Sequence, residues 1–254
     1  MKKKINWGLF GLLIFVIVLI GFIANFFMAF FGNPITKLIA TSKIEKYVLD
    51  TYPDQDLEVS SAVYNFKFGD YISHVQSRSS EDTVFTVSWH KGVVNDTYDQ
   101  DVTKHYQTYI RLQNNLSKLV QDSIGKEFPY ETFIVFADLD KSRDDFSMLT
   151  LDMPFDSAAL PVPTTLTIYF YEDKINYEVF RTHILELRDV MKKNDIRIDY
   201  YSIVMEKTPE DGEKPTLNQE SIYLYDYPAD RLASDNLIEE IKEYMAGWES
   251  ENRK

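Results

Sequence analysis

From Ile5 to Phe31 the chain runs for about 27 residues without a charged side chain, and no apolar run of similar length recurs after Gly32. As a helix this stretch is roughly 40 Å long, more than the roughly 30 Å hydrocarbon core of a bilayer, which predicts one tilted crossing or a crossing with a short emergent turn. Lys2, Lys3 and Lys4 precede it. Lysines beside a span stay on the cytoplasmic side, so the rest of the chain is expected outside. Trp7 suits the headgroup level, whereas Phe26, Phe27, Phe30 and Phe31 are apolar filling. A cleavable signal would have a shorter core followed by an A-x-A-like site, which Ala24-Asn25-Phe26 and Ala29-Phe30-Phe31 break, and acylation would need a cysteine that the chain lacks. An uncleaved anchor that keeps residue 1 is expected.

Beyond the anchor the hydrophobic period changes from segment to segment. Asn33 is a candidate N-cap with Pro34 at the first helical position, and Ile35, Leu38, Ile39, Ile44, Tyr47 and Val48 form the apolar stripe of a helix that Tyr52-Pro53 stops. Val59 to Phe68 reads as a strand with Tyr64, Phe66 and Phe68 on one face, and Gly69-Asp70 turns it into Tyr71 to Ser77. Thr83 to His90 follows with Phe85, Val87 and Trp89 on one face, and Lys91-Gly92 leads to Val93 and Val94. From about Asp99 to Ser123 the spacing of Val102, Tyr106, Tyr109, Leu112, Leu116, Leu119 and Val120 predicts a helix.

The distal half repeats the mixture. Glu131 to Ala137, Met148 to Met153, Thr164 to Tyr171, Ile196 to Lys207 and Ser221 to Tyr227 read as strands. Tyr177, Phe180, Ile184, Leu187, Val190 and Met191 trace a helix ending by Asn194, and a last helix runs from Ser234 as N-cap to about Trp248. Thr208 to Gln219, with Pro209, Gly212 and Pro215, is a hairpin tip. The expected fold class is α+β: a transmembrane helix over residues 1–31, then two small antiparallel-sheet-plus-helix domains over 32–128 and 129–254, joined at Ile124 to Tyr130. A fragment starting at Pro129 is expected to fold alone.

The order of the anchor, Gly32-Asn33-Pro34, a helix closed by Tyr52-Pro53, Tyr64-Asn65-Phe66-Lys67, Gly69-Asp70-Tyr71 and Ser77-Arg78-Ser79 resembles the N-terminal part of YfjL-like proteins of Bacillus and relatives. The helix-plus-meander layout also looks like a PepSY or cystatin-type unit. The resemblance covers residues 32–125 and extends to the distal half only by layout. It implies a membrane-anchored, two-part architecture and offers no catalytic residue to carry over.

Composition narrows the function. With 44% hydrophobic and 15% aromatic residues, the chain has the material for packed cores. The absence of cysteine removes disulfides, thiolate metal sites and cysteine nucleophiles together. Acid is concentrated distally: residues 32–128 hold 10 Lys and Arg against 13 Asp and Glu, residues 129–254 hold 14 against 27. Such a surface argues against nucleic acid and against docking on anionic lipid, since both need basic patches.

Candidate chemistry is sparse. Asp138, Asp140, Ser142, Asp144 and Asp145 have the alternating oxygens of the first half of a calcium loop, with Asp138, Asp140 and Asp144 as the candidate cation turn. Arg143 stands where the turn wants glycine and Leu149 where the bidentate glutamate belongs, so a solvated turn is the expected role. His74, His90, His105 and His183 have no ligand-like spacing, and the nucleophile-elbow and phosphate-loop motifs are absent. Tyr64, Phe66, Phe68 and Tyr71, and Tyr223, Tyr225 and Tyr227, are expected first as strand formers that pack under helices; of the two, Tyr223, Tyr225 and Tyr227 form the better candidate interaction face, because Ile222 and Leu224 already serve the core side.

The reading that follows is a noncatalytic, single-span protein of a Gram-positive-type cell membrane, with its C-terminal domains extracytoplasmic. It acts as an interaction or sensing module for an unknown protein or envelope ligand, with no cofactor. The alternative is an envelope enzyme with a carboxylate-based active site, which requires a cleft that gathers perturbed acids.

Overall fold

A computed structural model of the chain describes residues 7–140, 146–209 and 220–252, and its contacts divide the chain into two units, Met1–Gln107 and Thr108–Lys254. Lys2, Lys3 and Lys4, and residues 210–219 of the expected hairpin tip, lie outside the described residues.

The first unit begins with the apolar helix α1, Trp7–Phe31, whose 25 residues make it roughly 37 Å long. Every described residue from Phe10 to Phe31 is exposed, and the helix is long and apolar enough to cross a membrane. Gly32 ends it in the left-handed region at φ +74°. Helix α2, Pro34–Thr51, starts at once: the Asn33 carboxamide accepts from Ile35 N (2.8 Å) and Thr36 N (3.3 Å), and Pro34 takes the first turn. Ala40, Ile44 and Val48 are its buried side. The expected stripe is only half right, because Ile35, Leu38 and Ile39 are exposed while Ala40 takes their place on the core.

The sheet under α2 is antiparallel. β1 (Leu57–Val59) and β2 (Val63–Asn65) pair with the two ends of β3 (Asp70–Ser77), which pairs with β4 (Val84–His90) and through it with β5 (Val93–Asp96). The expected strand Val59 to Phe68 is thus broken twice: Ser60 N bonds His74 O (2.9 Å) in a jog before β2, and Phe66 and Phe68 belong to a turn. Tyr71, Val75, Phe85 and Val87 meet Ile44 and Val48 in the core. At its far end, the Tyr47 and Tyr52 hydroxyls both donate to Asp96 Oδ2, at 2.5 and 2.9 Å, tying α2 to the end of β5.

The helix expected from Asp99 to Ser123 is two elements. A π-helical turn, Asp99–Thr103, puts Val102 in the first core; His105 then adopts φ +58°, and α3 starts afresh at Tyr106–Glu127. From Thr108 onward α3 belongs by its contacts to the second unit, whereas the sequence places it in an expected domain over 32–128. The reason is an edge strand. β6 (Thr132–Leu139) has one free side, and α3 fills it: Gln113 Nε2 donates to Ala137 O and Leu139 N donates to Gln113 Oε1, both at 2.6 Å, while Gln121 Nε2 donates to Val135 O (2.8 Å).

The second sheet runs β6, β7 (Thr164–Glu172), β8 (Tyr200–Lys207), β9 (Ser221–Pro228). β6/β7 and β8/β9 are antiparallel, and β7/β8 are parallel, joined by α4 (Tyr177–Lys193) as the crossover that a parallel pair needs. α5, Leu237–Asn252, follows a 3₁₀ turn over Ala229–Ala233. Leu166, Ile168, Phe170, Ile203, Met205 and Leu224 form the core face of the sheet, with Phe180, Ile184 and Leu187 of α4, Leu112 and Leu116 of α3 and Ile241 of α5 also buried. The expected strand Met148 to Met153 is a pair of turns, closed by Leu149 N to Phe146 O and Met153 N to Thr150 O, with Leu149 buried. The α+β class stands, with one parallel pair within it.

Two outcomes are expected. Residues 108–254 melt cooperatively by circular dichroism, whereas residues 129–254 do not, because they lack Tyr109, Leu112, Leu116, Val120 and Ile124, each worth about 2 kcal/mol of burial against a domain total of roughly 5–15 kcal/mol. Separately, a Cβ at Gly32 would sit 2.6 Å from Tyr64 Cγ and 2.7 Å from Tyr71 Oη at a positive φ. Gly32→Ala is therefore expected to destabilise the first unit by about 2 kcal/mol in a denaturant titration of the chain in micelles, and an unchanged midpoint overturns that.

Candidate functional site

The face of the second sheet turned away from its core is built by alternation. With Leu166, Ile168 and Phe170 committed inward, Thr165, Thr167, Tyr169 and Tyr171 of β7 point the other way and are half-buried. Their neighbours extend the row: the Phe133 ring lies 4.6 Å from Tyr171, Tyr223 and Tyr225 lie 5.5 Å apart, and Tyr225 lies 4.9 Å from Trp248 of α5. The Tyr223 hydroxyl donates to Glu249. The Tyr225 phenol is pushed up to about 12, by burial first and then by Tyr169 beside it.

The third tyrosine of the expected set is elsewhere. Tyr201 pairs with Tyr227 and Ile203 with Leu224, so Tyr225 and Asp226 together stand opposite Ser202 in a β-bulge. Asp226 takes φ +50°, its N–H donates to Ser202 Oγ (3.0 Å), and Ser202 Oγ donates back to Asp226 Oδ1 (3.1 Å). The extra residue flips the alternation, and Tyr227 enters the core fully buried, with its ring edge-on to Tyr244 at 5.1 Å. Burial, and then the Glu240 carboxylate, push its phenol up to about 12. Tyr223 and Tyr225 share the outward face; Tyr227 does not.

Beside the aromatic row lies a shallow recess of about 300 Å³, lined by Phe136, Asp138, Asp140, Thr165, Thr167, Ser202 and Asp226. It brings two members of the expected cation turn together, Asp138 and Asp140; Asp144 lies outside the described residues. Asp138 accepts from Gln113 Nε2 (3.0 Å), and Asp140 N donates to Pro163 O (2.9 Å). Among the described residues no group of three His, Asp or Glu side chains is arranged to hold a metal ion. The surface offers flat aromatic area next to hydroxyls and carboxylates, a composition suited to contact with a partner.

A buried cluster centred on His183 escaped the sequence reading. His183 Nε2 lies 2.7 Å from Glu172 Oε2 and Nδ1 lies 3.0 Å from Glu186 Oε2, and the ring sits among Phe128, Tyr130 and Phe170, with Tyr130 closest at 4.0 Å. Burial raises the Glu172 carboxyl, but hydrogen bonds from His183 and from the N–H groups of Lys174 and Asp173 bring it below the ordinary carboxylate value. Burial, and then the charge of Glu186, raise the Tyr130 phenol. The imidazole is 3% exposed, Glu186 lines a recess of about 400 Å³ with Glu127, Asp189 and Lys193, and the cluster joins the end of β7 to α4. The available signal was spacing: His183 falls between Phe180 and Ile184 on the inward stripe of α4, three residues from Glu186.

Glu172→Gln is expected to cost about 2 kcal/mol at neutral pH, the usual loss for a buried charged hydrogen bond. Because the folded carboxyl titrates below the unfolded value of about 4.3, its contribution is complete above that value and is lost as pH falls through the lower folded one. The difference in Tm between native and variant chains therefore narrows in acid; a constant difference across the acid range would overturn the assignment.

Comparison with known proteins adds a lineage. The model of the YfjL-like N-terminal domain matches residues 2–102 and that of the YfjL-like C-terminal domain matches residues 115–242. A relative from Bacillus subtilis (strain 168), described as the uncharacterized protein YfjL, is 29% identical over 134 residues, 51% of this chain and 53% of that relative. The chain thus spans about half the length of the curated relative that it matches. No solved structure matches. The matched regions stop and start on either side of the break at His105, where the contacts also divide the chain. The chain belongs to the YfjL-like family.

Proposed function

We propose that this chain is a noncatalytic, single-span membrane protein of a Gram-positive-type cell whose two α+β units lie on the extracytoplasmic side and serve interaction or sensing. The observation that carries the reading is α1: 25 uncharged residues, exposed throughout their described length from Phe10, following three lysines in the sequence. An apolar helix exposed along its described length calls for lipid, and the lysines favour a cytoplasmic N-terminus. Tyr223, Tyr225, Tyr169 and Trp248 form the surface best suited to a protein or envelope ligand, because large flat side chains make much contact for little lost rotamer freedom.

The alternative, an envelope enzyme working through carboxylates, finds its best support in the recess beside that row. There Asp226 is engaged with Ser202 and Asp138 with Gln113, so these acids hold a bulge and a strand edge. The His183 imidazole is itself buried, with Glu186 at the rim of an open recess. Both arrangements favour the noncatalytic reading.

Sidedness tests it directly. The chain has no cysteine, so Lys3→Cys and Ser221→Cys report without background when intact cells meet an impermeant thiol reagent. Labelling at 221 and protection at 3 are expected. The reverse pattern would overturn the topology.

A further inference from the structure

The apolar surface of α1 does not stop where the helix stops. Phe30 lies with its ring 5.9 Å from that of Phe66, which sits in the turn between β2 and β3. Phe66 and Phe68 are 65% and 67% exposed, and on α2 the side chains of Ile35 and Leu38 are 69% and 71% exposed. These positions all belong to the first unit and adjoin the end of α1 along the chain or through the Phe30–Phe66 contact.

Two features make this surface a fixed one. The junction is clamped: Asn33 N donates to the Tyr71 hydroxyl (2.8 Å), that hydroxyl donates to Asn33 O (3.1 Å), and buried Gly32 lies against the Tyr64 and Tyr71 side chains. The turn is also preformed. Gly69 N donates to Asn65 O (2.8 Å), Lys67 N donates to Asn65 Oδ1 (3.2 Å), Gly69 adopts φ +70°, and Gly69 O meets His90 Nδ1 at the end of β4 (3.0 Å). A rigid turn that holds two phenylalanines in water, one of them against the apolar helix, is built for a nonaqueous neighbour. Lys67 lies between them in sequence, with Nζ 5.3 Å from the centre of the Phe68 ring.

We propose that the Asn65–Gly69 turn is a second membrane contact: Phe66 and Phe68, with Ile35 and Leu38 of α2, enter the extracytoplasmic leaflet of the bilayer that α1 crosses, and Lys67 stays among the phosphates. The inference rests on the reading of α1 as a span. Lipid is the occupant because Phe66 lies against Phe30 of the helix read as the span, Ile35 and Leu38 follow that helix directly in the chain, and the joint is held by the Asn33–Tyr71 bonds. The contact is apolar, so it does not need the basic patch that the acidic composition withholds. A surface of this kind would fix the first unit against the bilayer instead of leaving it on a free tether.

Nitroxide labels on single cysteines in the full chain, in phosphatidylcholine vesicles, decide it. The positions are Phe66→Cys, Phe68→Cys, Ile20→Cys within α1, and Ser79→Cys in the exposed turn at the other end of β3. All four native side chains are exposed, so the core is left alone. Collision with oxygen relative to a water-soluble nickel chelate is expected to be several-fold higher at 66 and 68 than at 79, and highest at 20. A high ratio at 20 with 66 and 68 matching 79 overturns the turn contact and spares the anchor. A ratio at 20 that matches 79 overturns both. Low collision with both reagents at 66 and 68 means a protein covers the patch, which also overturns the proposal.

Discussion

A helix of 25 uncharged residues, exposed along its described length, is long and apolar enough to cross a membrane, and the residue that joins it to the next element sets how α2 and the first sheet meet it. That residue is Gly32. Its positive φ lets α1 end and α2 begin within two residues, and its missing side chain lets Tyr64 and Tyr71 of the sheet close on the joint. Tyr71 then spends its one hydroxyl on both backbone groups of Asn33, whose own side chain caps α2. One small residue thus connects the apolar helix, α2 and the sheet of the first unit.

The second unit answers a different constraint, the satisfaction of strand edges and crossovers. β6 would present unpaired backbone groups, and glutamine side chains of α3 take that role in place of another strand. β7 and β8 run parallel, so α4 must cross between them, and it brings His183 to the end of β7 where Glu172 waits. A histidine between two carboxylates on an otherwise apolar helix face is tolerable because each ring nitrogen meets an oxygen within 3.0 Å. With the core served by one face, Tyr169, Tyr171, Tyr223 and Tyr225 stand half-buried on the other.

Much of this was legible in local pattern. The apolar length of α1, the Asn33-Pro34 start and Tyr52-Pro53 stop of α2, the alternation of Phe85, Val87 and Trp89, and the helical spacing of Phe180, Ile184 and Leu187 follow from backbone geometry and side-chain period, which act over a few residues. The resemblance to YfjL-like proteins rested on the first of these, the apolar helix and the Asn33-Pro34 and Tyr52-Pro53 ends of α2, with the short motifs from Tyr64 to Ser79, and family matches over 2–102 and 115–242 agree with it.

What the sequence alone determined, then, is the identity of the elements: an apolar helix, two sheets with helices, no cysteine chemistry and an acidic distal half. Only the tertiary structure decided which side of each element faces what. Ile35 and Leu38 lie on an apolar stripe yet point away from the core, because the sheet contacts Ala40, Ile44 and Val48. α3 has a helix period that would suit either unit, and it joins the second because the free edge of β6 accepts its glutamines. Tyr227 continues the alternation of Tyr223 and Tyr225 but lies inside, because one extra residue opposite Ser202 inverts the strand. Periodicity is a property of a few adjacent residues, whereas packing partners, edges and bulges depend on residues far apart in the chain, and no short window of sequence contains both sides of such a contact.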